Sequence, residues 1–445
     1  MFFFVDSLRK RFFGVVIAEG LNGLLAAYEL SHTDVSIVLI DNYRPSLEID
    51  GYLFNYYPQH IFSYYKLPDL LRQLHGVFET YTSPAFQLVL PDRRVDMYSE
   101  WKKGIAETNK RFQGRATALA EYLSGEQAIL ELLLRVKEAE DDHSGMMKRT
   151  FQRLRTGKRL LREKQRAYES LKRLLKEDKP SVVFQAARRQ LFPWMNDDTA
   201  LSDMRSVPAL LRKRFYLVGG KDSLKNTILH ELMRRNVNIV QDKEIDHIEY
   251  RKYFTIALDH EQSVRSRTLV AEPIYERTLS LLPSDSYRNI KKKYYVDNIF
   301  AGVHRSCLPE LYNRVNSAVI ISDYNKPLSN DNLIFMDTNP ISDIKRAKDE
   351  MAALTLCTLI QENSISKISA IRSATIEHVK KFMPFFDDFV ENIYFTDPYI
   401  LWNNKGVPVY KKGVLLLNDE FMNQYTLDSK YAYIKKQVKK LISNL

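Results

Sequence analysis

The run Ala18-Glu-Gly20-Leu-Asn-Gly23 sets two glycines three residues apart, directly after an apolar segment. A strand–turn–helix of this kind can bring main chain against a diphosphate. One glycine permits the tight turn, a second lets the backbone approach the phosphates, and a third lets helix and strand pack closely. The second and third are present here, and Ala18 stands in place of the first. Asp41, at the end of the next apolar segment, is placed to accept ribose hydroxyls. Its plainer role is to cap the following turn. No metal-site chemistry is legible: among nine histidines and two cysteines (Cys307, Cys357) there is neither His-x-x-x-His nor Cys-x-x-Cys. No Ser/His/Asp arrangement stands out, so a catalytic residue is not assigned.

The elements that must position these residues follow from periodicity. Residues 13–18 and 35–40 read as short buried strands, and residues 20–31 between them as a helix with Leu21, Leu24, Leu25, Tyr28 and Leu30 on one face. Two apolar strands around one helix make a βαβ unit and hence a parallel sheet. A second unit starts at Gly219-Gly220, with a helix over 222–235 and a strand over 237–241. Residues 100–192 read as a helical region, with Phe151, Leu154, Leu161, Tyr168, Leu171 and Leu175 at helical spacing. Further on, 317–322 reads as a strand and 344–361 as a helix.

The 445-residue chain carries a formal charge of +11, and 45% of it is hydrophobic, which suits a large core and more than one structural unit. The charge is concentrated: between Lys148 and Arg189 there are 15 basic and 4 acidic residues, so this stretch holds the whole excess. A solvated helical face, an acidic protein partner and an anionic membrane surface all fit it. Nucleic acid is disfavoured, because stacking aromatics are not interleaved. No apolar run reaches 18 residues, and the N-terminus is apolar before it is basic, the reverse of a secretory signal. With two cysteines, the expected setting is cytoplasmic, with membrane association as an alternative.

The segments around the glycines resemble the FAD-dependent amine oxidase and phytoene desaturase family. Val15 to Leu30 resembles its opening, Asp50-Gly-Tyr-Leu-Phe-Asn-Tyr-Tyr-Pro58 its D-G-Y-x-F-D-x-G-P segment, and Pro84 to Pro91 its first substrate-domain strand. Val218-Gly-Gly-Lys-Asp-Ser-Leu to Ile245 resembles its G-G-x-x-x-L helix and the strand beyond, and Gly413 to Glu420 its C-terminal G-D motif. The order is the family's, from residue 13 to the end. The resemblance implies an α/β fold: a discontinuous Rossmann-type FAD/NAD(P)-binding domain (1–75, 207–262, 390–445) and an α+β substrate-like domain (76–206, 263–389) with the helical insertion 100–192. It implies cofactor contacts at Gly20, Gly23, Asp41, Arg44, Ile245 and Asp419.

Four departures fall on the same ligand. Ala18 replaces a glycine, and Glu19 stands where the family has alanine. A carboxylate about 5 Å from a phosphate, at an effective dielectric near 20, costs on the order of 3 kcal/mol. Pro45-Ser46 follows Arg44 where the family has glycines, and Asn418 precedes Asp419 in place of another, with Tyr425 and Tyr431 available to fill the flavin space. The expectation is a degenerate, cofactor-poor homologue, with FAD as the one cofactor the fold would take. It would act as an accessory or structural subunit binding a protein partner, for instance a flavin-binding paralogue. The alternatives are an active FAD-dependent oxidoreductase on an apolar or amine substrate, and a lipid or isoprenoid carrier.

Overall fold

The computed structural model describes residues 11–56, 61–63, 68–74, 76, 78–83, 85–112, 117–141, 146–174, 176, 182, 184–186, 213–259, 262–282, 292–309, 316–403, 413–417 and 427–443. The chain is a mixed α/β protein built on two large sheets. The first runs in the order Asn238–Gln241, Ile37–Asp41, Arg11–Ala18, Gln262–Glu272, Phe254–Leu258, Ile245–Tyr250, with Val414–Leu416 beside Gln262–Glu272. Its first four strands and Val414–Leu416 are mutually parallel, and the remainder is an antiparallel meander. The parallel part is apolar on both faces, as a sheet covered on both sides requires. Leu21–Leu30, Lys221–Arg234 and Leu427–Ser443 pack one face through Leu24, Ile228 and Val438. The other face meets Tyr295, Ile360 and Ile400 of the second sheet.

The second sheet runs Val390–Phe395, Lys292–His304, Met351–Gln361, Leu333–Thr338, Ser317–Ile321, Ala85–Val89, Arg94–Tyr98, with Tyr399–Asn403 also on Lys292–His304. One face is covered by Ile368–Phe382 through Val379 and Phe382. The opposite face carries Phe86, Val319 and Phe335 under the helical region. Among the described residues that region includes the helices Trp101–Phe112, Thr117–Asp141 and Met146–Leu174. The last two form an antiparallel hairpin. At Gly125 an added Cβ would lie 3.2 Å from the Ala167 Cβ, so the two axes approach closely there.

Three expectations are corrected. Residues 344–361 do not form a helix: Met351–Gln361 is an 11-residue strand, buried at ten positions and paired on both sides. Ala, Leu and Met favour helix in isolation, but a central strand buried on both faces also reads as an unbroken apolar run, and tertiary pairing overrides propensity. Gln262–Glu272 belongs to the first sheet, not the second unit. Its first half alternates as a hairpin partner, while its last five residues are all buried beside Arg11–Ala18. Val390–Phe395 and Tyr399–Asn403, assigned by sequence to the first unit, pair in the second sheet.

Candidate functional site

Arg11–Ala18 ends in the middle of the parallel sheet, and Glu19 and Gly20 lead into Leu21–Leu30. Gly20 is extended (φ −145°) and offers no side-chain cap, so the helix start has amide donors with no local acceptor. The acceptor comes from across the sheet. Glu272 pairs in register with Ala18, and its carboxylate lies over the helix start. Oε2 accepts from the Gly23 N–H at 2.6 Å, and Oε1 accepts from Asn22 Nδ2 at 2.6 Å. Glu272 is only 4% exposed. Partial positive charge at a helix N-terminus favours any anion, and a carboxylate that accepts main-chain N–H groups is a strong match. A Cβ on Gly20 would lie 2.6 Å from Glu272 Oε1, and one on Gly23 would lie 2.7 Å from Ala18 Cα. The two glycines therefore perform their two tasks, close approach of an anion and close packing of helix on strand. The anion is a side chain of the protein itself.

Glu19 does not repel a ligand in the way its position suggests. Its carboxylate is turned to the far side of the turn. There it accepts from the N–H of Ile274 at 2.8 Å and of Tyr275 at 3.2 Å, and from the Thr278 hydroxyl. Burial holds the Glu19 carboxyl above the usual carboxylate range, against the pull of these three donors. The negative group that faces the helix start is Glu272, which the sequence reading missed. The available signal was an acid at the C-terminal end of an apolar strand, before Pro273, where crevice residues of a parallel sheet lie.

Asp41 ends its strand as expected, 1% exposed, but its acceptors are taken. Lys225 Nζ lies 3.1 Å from Oδ2, Gln241 Nε2 donates to Oδ2 at 3.1 Å, and the Tyr43 N–H donates to Oδ1 at 3.2 Å. Lys225 also donates to the Tyr43 carbonyl. Arg44 is exposed, and its guanidinium lies 3.5 Å from Asp242. Ile245 is buried in the antiparallel meander opposite Leu258. Asn418, Asp419 and Tyr425 lie outside the described residues. Val414–Leu416, just before them, runs beside Leu269–Ala271. Tyr431 does not fill a flavin space: its hydroxyl donates to Glu29 at 2.8 Å and its ring sits 6.0 Å from Tyr28, on the C-terminal helix. The aromatics near the turn are instead Tyr56 and Tyr275. Burial, then the charges of Tyr56 and Glu19, push the Tyr275 hydroxyl up to about 12. Burial likewise raises Tyr56, opposed by Arg44.

A diphosphate-linked flavin needs the N–H groups of the first helix, the Asp41 carboxylate and the crevice between. Glu272 takes the Gly23 N–H, Lys225 and Gln241 hold the second, and the half-buried Tyr56 and Tyr275 border the third. The residues present do not fit the diphosphate. Among the described residues, no three metal-capable side chains come together, and both cysteines are buried and free.

The second glycine pair is also a strand-to-helix turn. Gly219 and Gly220 have φ +76° and +73°, which favours glycine, and lead into Lys221–Arg234. The Gly219 N–H donates to Asp343 Oδ2 at 3.0 Å.

No family model and no curated protein sequence matches this chain. Solved structures do. An oxidoreductase from Methanosarcina mazei is 11% identical, with 98% of this chain and 100% of that one covered and a TM-score of 0.54. A putrescine oxidase with a redesigned cofactor site is 11% identical over 97% and 99%, with a TM-score of 0.54. Rab GDI from Plasmodium falciparum is 9% identical over 98% of each chain, with a TM-score of 0.56. At such identities the likeness is one of fold: this is a mixed α/β chain resembling FAD-dependent oxidoreductase folds, a shape it shares with a Rab GDI.

Proposed function

We propose that this protein is a cofactor-poor relative of the FAD-dependent oxidoreductases, kept as an accessory or structural subunit. The parallel sheet is a Rossmann-type unit assembled from separated segments, with its diphosphate position closed by the protein itself. The observation that carries this reading is the Glu272 carboxylate on the Gly23 N–H at 2.6 Å. A phosphate brought to the same donors would meet a buried carboxylate within van der Waals distance. Fold alone does not fix function, and here the site argues against the chemistry the fold usually hosts.

The partner-binding element in this reading is the helical hairpin. On Met146–Leu174, Lys158, Arg159, Arg162 and Arg166 are exposed around Leu161, itself 71% exposed. A basic helix with an apolar residue among its charges suits a protein partner with an acidic rim, such as a flavin-binding paralogue. Purified protein should carry no flavin absorbance, and its melting temperature should not move with added FAD. Stoichiometric flavin in the purified protein would sink the proposal. Reversing Lys158, Arg159, Arg162 and Arg166 to glutamate should remove specific partners from a pull-down, and an unchanged profile counts against the hairpin.

A further inference from the structure

We propose that the outward face of the C-terminal helix is an electrostatic docking surface for an anionic lipid bilayer. The helix Leu427–Ser443 is two-sided. Ile434, Val438 and Leu441 are buried against the core shared with Leu21–Leu30. On the other side Lys435, Lys436, Lys439 and Lys440 are exposed and line one shallow concavity with Ala432 and Ser443. Lys435 lies 3.7 Å from Glu29 and 5.9 Å from the Tyr431 ring centroid. Lys436, Lys439 and Lys440 have no ion pair among the described residues. The four lysines form two like-charge pairs at i,i+4, an arrangement that destabilises a helix locally. Attraction to the helix C-terminus reaches only the last turn, so it accounts for Lys440 and not for Lys435 or Lys436. An external anion that meets all four at once offsets the repulsion.

The composition of the face selects the occupant. Protein interfaces are depleted in lysine and anchored by Tyr, Trp or Arg, and no exposed aromatic or arginine stands among these lysines. Single-stranded nucleic acid needs stacking rings, which are equally missing from the face. Ammonium groups on flexible stems are point charges without a fixed fork, suited to the spread, mobile charge of a headgroup layer. The apolar group exposed among them is only the methyl of Ala432, so the helix rests on the surface without inserting, and binding falls with salt. This inference stands on the helix alone and does not depend on the flavin reading.

Flotation of the full chain with phosphatidylcholine vesicles, with and without phosphatidylserine, tests it. Wild type is expected to float with the phosphatidylserine vesicles only and to be released by added salt. Lys436→Gln, Lys439→Gln and Lys440→Gln together should lower the partition coefficient on the order of 100-fold. They should not lower the thermal midpoint, since all three side chains are exposed and their mutual repulsion is relieved. Lys158→Gln, Arg159→Gln and Arg162→Gln together should leave flotation largely intact. Wild type that fails to float overturns the proposal. So does a C-terminal variant that floats like wild type, a hairpin variant that alone loses binding, or wild type that binds polyglutamate but no vesicle.

Discussion

Two turns in this molecule feed a strand into a helix through glycines, and in both a distant carboxylate reaches the helix start. At the first, Glu272 comes from 249 residues away and receives a main-chain N–H and a side-chain amide. At the second, Asp343 comes from 124 residues away and receives one N–H of the turn, that of Gly219, with the Lys345 N–H of its own loop also acting on its carboxyl. The glycines are needed for different reasons. Gly23 is needed because the helix lies on Ala18, and Gly220 because its backbone has positive φ and its α-carbon faces buried Asn55. Neither requirement involves a ligand. A glycine pattern that elsewhere marks a nucleotide site can thus be required by packing and backbone conformation alone.

The comparison can be broken at the glycines first. Gly23→Ala places a methyl against backbone atoms that cannot yield, and Gly220→Ala combines positive φ with a contact 2.5 Å from the Asn55 amide. Each should cost about 3 kcal/mol in denaturant unfolding. A cost below about 1 kcal/mol at either position would show that the turn relaxes, and would remove packing as the reason for the glycine.

The carboxylates come next, and they should differ. Glu272→Ala leaves the Gly23 N–H and the Asn22 amide buried without this acceptor and should cost about 2 kcal/mol. In that variant, phosphate or ADP should raise the melting temperature, and neither should do so in wild type. Asp343→Ala removes the acceptor of one N–H at the helix start and should cost about 1 kcal/mol. Equal costs would erase the distinction between the two turns.

The smallest effect is a pH dependence. Burial holds the Asp343 carboxyl above its ordinary 3.8, outweighing the Gly219 N–H. The folded protein therefore keeps this proton where the unfolded chain has lost it. The resulting stability is present in full below the unfolded value and is lost as pH rises through the folded one. Asp343→Asn keeps an acceptor for Gly219 but has no such loss. Its unfolding midpoint should gain on wild type as pH rises from about 4 towards neutrality. A difference that does not vary with pH would mean that the carboxyl is not perturbed.

Much of the first sheet was readable from the chain. The βαβ unit around Gly20, the helix after Gly220 and the strand to Gln241 each announce themselves over a few residues, because apolar periodicity and glycine turns are local signals. The strand at Met351–Gln361 was misread because burial on both faces erases the alternation that distinguishes strand from helix. The boundaries at Gln262 and Val390 were misplaced because which sheet a strand joins is decided by partners far along the chain. At the site, the sequence pointed to Glu19 and Tyr431, whereas the structure places Glu272 on the helix start and Tyr275 beside Glu19.

By itself the sequence determined where the chain turns, which segments must be buried and where its positive charge is concentrated, since these depend on residue type and short spacing. Only the tertiary structure decided which acid faces the first helix. Glu19 is adjacent in sequence yet points away, while Glu272 arrives on the neighbouring strand. The strength of a carboxylate–amide contact depends on distance and direction in space, and the order of residues along the chain specifies neither.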